Sequence, residues 1–262
     1  GRGMSPGEAG SLVGAYTALV YASPLVLGQL ADRWLGYRRA VQAGAALLAT
    51  GYAVLAIPSP HALYAAIGVL IVGNGLFKPS IATLLGNLYP QGDPRRDAAF
   101  GIFYMGINIG AFFAPIAGAS VQSRFGWGAG FLAASAGMVV GLTVFLLSGR
   151  SLAVAGQRSS VAAVRGVPRP PEYEDDREPP AVERARVGAV VLVTLASMVF
   201  WFAAQQNATS LVLWARDHTD LTLGGLVPGG VSPLLGNSLN PFFVVFGTPL
   251  VVGIFSWLRR RG

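Results

Sequence analysis

The chain has no cysteine, which excludes disulfide staples and thiolate metal ligands and leaves the redox compartment unreadable. Charge is scarce too. Asp, Glu, Lys and Arg make up 12% of the 262 residues, where a soluble domain carries about 25%. Lysine is almost missing: of nineteen basic residues eighteen are arginines, and the single lysine is Lys78. The two histidines, His61 and His218, fall between apolar runs, and no two acids share one. Neither a metal cluster nor a general acid–base pair is offered, so the chain reads as non-enzymatic, with no cofactor and no metal. Gly73-Asn74-Gly75 is not a phosphate loop, because no strand precedes it and its spacing is wrong. The opening GRGMSPGEAG has no basic start, apolar core and small-residue cleavage site, so no signal peptide is expected.

Apolar residues are abundant. They make up 53% of the chain, with 35 Gly and 17 Pro and a mean hydropathy of +0.53. A helix needs about 20 such residues to cross a bilayer core. Seven runs qualify, at 11–30, 40–57, 62–88, 98–121, 128–147, 187–214 and 240–258. Each is too long and too evenly apolar for a strand. An all-α integral membrane protein follows, and the bilayer is its first partner. The third run is long enough to tilt or kink, and Pro79 supplies the breaker.

A net charge of +7 could be the footprint of a nucleic-acid binder, but its distribution says otherwise. Arg33, Arg38, Arg39, Arg95, Arg96 and the Arg259, Arg260, Arg261 tail fall on one side of the alternating spans, and Arg2, Arg124 and Arg216 on the other. That is eight against three even without the seven arginines of the long 150–186 loop, which the positive-inside rule weights little. The charge is a topology signal: no nucleic acid is expected, and the arginine-rich side is cytoplasmic, with the linker and the C-terminus. Residues 149–186, rich in Pro, Arg and acids, read as a cytoplasmic linker between residues 1–148 and residues 187–262. An outward N-terminus ahead of an odd number of spans leads us to expect at least one preceding span.

None of the twelve acids lies well inside a span, so Lys78 is the one formal charge expected at membrane depth. A central lysine costs about 2.5–3.5 kcal/mol on insertion scales and normally faces a cavity or a partner. Snorkelling to the interface is the competing account, but Lys78 sits some sixteen residues from one end of its run and ten from the other. Pro79 also frees a carbonyl one turn earlier, which is tolerated at depth beside water or ligand. Other polar groups fall inside spans. Asn108 shares a helix face with Tyr104 between Gly106 and Gly110, where it lines a cavity or bonds a neighbouring helix. Trp201, Gln205 and Gln206 cluster in FWFAAQQNATS, as pocket lining or as interhelical bonding groups. Asn240 before Pro241 reads equally well as an N-cap. Tyr21, alone in an apolar run, reads more simply as packing or as part of an interfacial belt than as a ligand contact.

Two stretches are long enough to carry a resemblance. GQLADRWLGYRRAV, residues 28–41, resembles the loop after the second helix of major facilitator transporters, where Gly28, Asp32, Arg33, Gly36, Arg38 and Arg39 match a latch on the cytoplasmic helix ends. With YTALVYASPLVLGQLADRWLG and GNGLFKPSIATLLGNLYPQGDPRRDAAFGIFYMGINIGAFFAP, the chain resembles the proton-dependent oligopeptide transporter family from about residue 11 to the end, least in the linker. The resemblance implies two six-helix bundles rocking about a midplane site, of which this chain holds helices two to six and then seven and eight. It implies proton-coupled import of di- and tripeptides, with short peptides and protons as partners; relatives that carry nitrate or other small solutes, and a truncated non-transporting product, are the alternatives. It also implies that Lys78 binds the peptide carboxylate and takes part in proton coupling, and that Tyr21, Asn108, Trp201 and Asn240 contact the peptide. Gln205 stands where many members carry an acid, and the residues set no oligomeric state.

Overall fold

The computed structural model describes residues 5–89, 93, 95–149, 180–206, 210–220, 222, 238–247 and 254, and among these the regular structure is entirely helical. In chain order the helices are α1 (Pro6–Leu30), α2 (Tyr37–Leu55), α3 (Pro60–Gly86), α4 (Arg95–Leu147), α5 (Pro180–Gln205), α6 (Ser210–His218) and the single turn α7 (Leu239–Phe242). π-Helical turns follow α1 at Ala31–Leu35 and α7 at Phe243–Gly247. Most of the expected linker (150–179), the Arg259–Arg261 tail and much of the last expected span lie outside the described residues.

Local chemistry sets the ends of the first elements. The Glu8 N–H donates to Ser5 Oγ at 3.3 Å while the Ser5 N–H donates to Glu8 Oε2 at 2.8 Å, a reciprocal cap on α1. Pro6 and Pro60 stand in the first turns of α1 and α3, where no helical bond needs their missing N–H. Between α1 and α2 the chain turns at Gly36, whose φ of 76° a residue without Cβ adopts free of strain.

α4 differs from the two spans expected at 98–121 and 128–147. Its 53 residues are helical almost without a break, and a straight helix of that length would measure about 80 Å at about 1.5 Å per residue. Gly126, with φ 84° and ψ 175°, breaks it. A Cβ on Gly130 would lie 3.6 Å from Gln122 Cβ and 3.9 Å from the Gly118 carbonyl oxygen, so the two halves fold back on each other. The sixth expected span, 187–214, is divided between α5 and α6. Among the described residues, four stretches are long and apolar enough to cross a membrane: Gly7–Leu35, Pro60–Gly86, Arg95–Leu147 and Val187–Ala204. α2 is not among them because it opens on Tyr37, Arg38 and Arg39. The protein is a multi-pass, all-helical membrane protein.

The chain forms two compact units, Gly1–Gly110 with Ala117–Ser160, and Ala111–Ile116 with Val161–Gly262. In the first, α3 packs against both α1 and α2. A Cβ on Gly44 of α2 would fall 2.8 Å from the Phe77 backbone nitrogen and 2.9 Å from the Gly73 carbonyl oxygen of α3. A Cβ on Gly75 would fall 2.6 Å from Leu27 and 2.7 Å from Ser23 Oγ of α1. Small residues thus let the backbones meet, the packing that stands in for the hydrophobic effect between helices in lipid. Along α2 the second half of α4 runs antiparallel. Gly128 lies against the Ala56 carbonyl, Ser135 Oγ donates to the Ala49 carbonyl at 2.7 Å, and Phe145 covers the cluster of Tyr37, Val41 and Leu84. That cluster brings the start of α2 and the ends of α3 and α4 together at the end bearing Arg38 and Arg39. In the second unit, Ser238 Oγ donates to the Phe112 carbonyl at 2.9 Å, and Phe242 packs on Phe112 and Phe246.

Gly44→Val is therefore expected to destabilise the purified protein by at least about 1–3 kcal/mol, the usual cost of overpacking, read as a lower melting temperature in detergent. Gly14→Ala, where a Cβ meets nothing within 4 Å, is expected to leave it unchanged.

Candidate functional site

Lys78 occupies the exposed face of α3, between Phe77, which packs on the helical core, and Pro79, whose ring lies 3.6 Å from where a Cβ on Gly28 of α1 would stand. Its Nζ sits over the Tyr21 ring of α1, 5.4 Å from the centroid. That is within the range of about 6 Å for cation–π attraction, worth about 0.5–2 kcal/mol depending on desolvation. Two of the residues singled out in the sequence are thus brought together by the α1–α3 crossing. Tyr21 is 64% exposed and carries the ammonium on its ring face.

The crossing holds by residues that sequence reasoning passed over. Pro24 has no N–H, which releases the carbonyl of Val20 one turn earlier. Ser23 Oγ lies 3.3 Å from that oxygen and 3.2 Å from the Ile71 carbonyl of α3, sharing its proton between a mended helix and a bond across the interface. A serine just before a proline in an apolar span was the available signal.

Asn108 is the one buried polar residue described on α4, 9% exposed, and its Nδ2 donates to the Tyr104 carbonyl at 2.8 Å. A carbonyl only accepts, so the amide nitrogen must face Tyr104 and Oδ1 is left as an acceptor. Trp201 is exposed on α5 and meets Phe200 edge-on at 5.7 Å. Gln205 closes α5, and its side chain lies outside the described residues. Asn240 is exposed and lies inside α7, one residue past its start, so it does not sit at the N-cap position; Ser238 precedes the helix and bonds Phe112 instead. Lys78, Tyr21 and Asn108 belong to the first unit, Trp201, Gln205 and Asn240 to the second.

Gly28 lies on α1, Asp32 and Arg33 in the π-helical turn, Gly36 at the bend, and Arg38 and Arg39 in the first turn of α2. Asp32 accepts a hydrogen bond from the Tyr37 hydroxyl, a residue the motif did not flag. Burial first, and that carboxylate second, push the Tyr37 phenol up to about 12 from an ordinary 10.0. Arg38 reaches the other way, and a Cβ on Gly149 after α4 would meet its guanidinium. Among the described residues no group of three or more His, Cys, Asp or Glu is placed to hold a metal ion.

Helices of membrane-spanning length, close-packed through glycine, make a polytopic all-helical fold of the major facilitator type. Residues 38–163 match the model of the POT family. The chain is 32% identical to the uncharacterized transporter YclF of Bacillus subtilis (strain 168), over all of this chain and 61% of the relative. It is 29% identical to the dipeptide and tripeptide permease A of Klebsiella pneumoniae (strain 342), over 99% of this chain and 59% of the relative. Among solved structures, a mutant peptide transporter POT in complex with alafosfalin superposes with a TM-score of 0.82 at 32% identity, over 100% of this chain and 62% of that one. A POT family transporter in complex with 5-aminolevulinic acid gives 0.67 at 26% identity, over 99% and 63%. The chain is similar to members of the POT family and spans about six tenths of the length of these relatives.

The neutral Tyr37 phenol is the form the fold favours. Its contribution is whole below pH 10 and is lost as pH climbs through about 12. Ultraviolet titration is expected to show a tyrosine ionising near 12 that Tyr37→Phe removes and that Asp32→Asn moves to lower pH.

Proposed function

We propose that the full-length protein imports di- and tripeptides across the cytoplasmic membrane by alternating access, coupled to protons, and that it is a transporter rather than an enzyme. The observation that carries this reading is the Lys78 ammonium, set on the exposed face of a membrane-length helix and steadied by Tyr21, in a chain similar to members of the POT family. A desolvated cation attracts an anion far more strongly than a hydrated one does. The constant anionic feature of a short peptide is its C-terminal carboxylate. Lys78 takes that carboxylate, and it exchanges partners as protons move. Asn108, with Oδ1 and one amide hydrogen unspent, reads the peptide backbone, and Tyr21, Trp201, Gln205 and Asn240 each contribute a contact to the peptide. The permease relative and the peptide-transporter structures bear this name for their own substrates, which supports carrying it over. Recognition through termini and backbone leaves side chains free to vary.

In this reading residues 1–148 are the greater part of one bundle, 149–186 the linker and 187–262 the start of the second, with the arginine-rich end, the linker and the C-terminus cytoplasmic.

In proteoliposomes under an inward proton gradient, the full-length protein is expected to take up labelled dipeptide, and Lys78→Ala to lower uptake at least about tenfold, the worth of one charge-assisted contact. Competition by nitrate rather than by unlabelled dipeptide would replace the peptide reading with that of an anion carrier; uptake indifferent to Lys78→Ala would remove the assigned role. Because this chain has no cysteine, single reporters can be placed cleanly in it. Ser148→Cys is expected to react with an impermeant thiol reagent from the cytoplasmic face only, and Ser59→Cys from the outside only.

A further inference from the structure

Asn74 stands one helical turn before Lys78 on the same face of α3. Long side chains on a helix lean back toward the N-terminus, over the turn that precedes their own Cα. That lean would carry the Lys78 side chain back over the turn that holds Asn74, where Gly75 contributes no side chain to obstruct it. The Asn74 Nδ2 donates to the Leu70 carbonyl at 2.9 Å. That oxygen accepts only, so the amide orientation is fixed by chemistry and Asn74 turns its own carbonyl oxygen outward. An ammonium has three donors. Among the described residues the contact made by the Lys78 Nζ is the Tyr21 ring face, which accepts none of them as a conventional hydrogen bond.

We propose that Asn74 is a positioning residue for Lys78: once a solute binds, its Oδ1 accepts one N–H of the ammonium, a bond not formed in this structure, and aims the remaining donors at the carboxylate of the solute. This rests on the reading of Lys78 as the carboxylate-binding group. Tyr21 supplies attraction without direction, since a ring face tolerates many positions of a cation. Asn74 supplies direction, since a hydrogen bond weakens steeply away from its axis. A free carboxylate and its uncharged amide differ at the atoms Lys78 would meet, so the preference for one over the other measures how well the ammonium is placed.

The test compares inhibition of labelled dipeptide uptake by dialanine and by dialanine amide, using the full-length protein in proteoliposomes. Asn74→Leu is expected to weaken dialanine by about tenfold, the worth of one charge-assisted hydrogen bond, and to leave dialanine amide within about twofold. Asn74→Thr is expected to restore at least half of the loss on a logarithmic scale. A threonine hydroxyl here donates to the carbonyl four residues back, as Thr17, Thr50 and Thr83 do, and still offers lone pairs. Equal losses for both inhibitors, no loss for either, or a threonine variant no better than leucine would overturn the proposal while leaving Lys78 in its role. A Lys78→Ala protein that keeps the full preference for the free carboxylate would remove both readings together. Variants that reach the membrane poorly are compared by the ratio of the two inhibition constants, which does not depend on the amount of protein.

Discussion

An ammonium ion in an apolar helix has to be met by something other than hydrocarbon, and the packing of α1 on α3 supplies Lys78 with such a partner. The two helices approach at Gly75, where a side chain would collide with Ser23 and Leu27, and this closeness brings the Tyr21 ring under the Lys78 Nζ. A ring quadrupole gives back part of the cost of about 2.5–3.5 kcal/mol that an unmet lysine carries. It does so without neutralising the charge.

The same economy governs the backbone. Pro24 and Pro79 each remove an N–H from a long helix, and an unsatisfied carbonyl in a bilayer is expensive. Ser23 answers the Val20 carbonyl and reaches across to Ile71, so a defect in one helix becomes a bond to its neighbour. The in-span amides follow a related rule. Asn74 and Asn108 both tie their nitrogen to the carbonyl four residues earlier, at 2.9 and 2.8 Å, which fixes which end of each amide faces outward. A floppy amide can act as donor or acceptor toward whatever comes. These two are held in one orientation by the fold itself.

Much of this was legible beforehand, for physical reasons. Lys78 stood out because charge is so rare in an apolar run, and Pro79 because only proline breaks a helix in that way. The arginine motif marked Gly36, and the bend there has the positive φ expected of glycine. Other features were hidden. Tyr21 looked like packing, because a tyrosine in an apolar run carries no mark of the cation that will settle on it from another helix. Tyr37, held by Asp32 and by burial beneath the end of α4, lay beside a conspicuous run of arginines that drew the eye instead. Asn240 read as a cap, yet the helix begins before it, because Ser238 is engaged by Phe112, a partner far away in sequence.

Composition and periodicity decided that the chain crosses a bilayer as helices, since hydrophobic run length is set against a fixed membrane thickness and needs no partner to be read. The sequence also decided where the lone charge lies along its helix, because position in a run is a matter of counting. Which groups meet that charge was decided only in three dimensions. The distance from Lys78 to Tyr21 depends on how closely α1 and α3 approach, and the fold-back of α4 on a single glycine angle. Both arise from contacts between residues far apart in the chain, where local propensity carries no information.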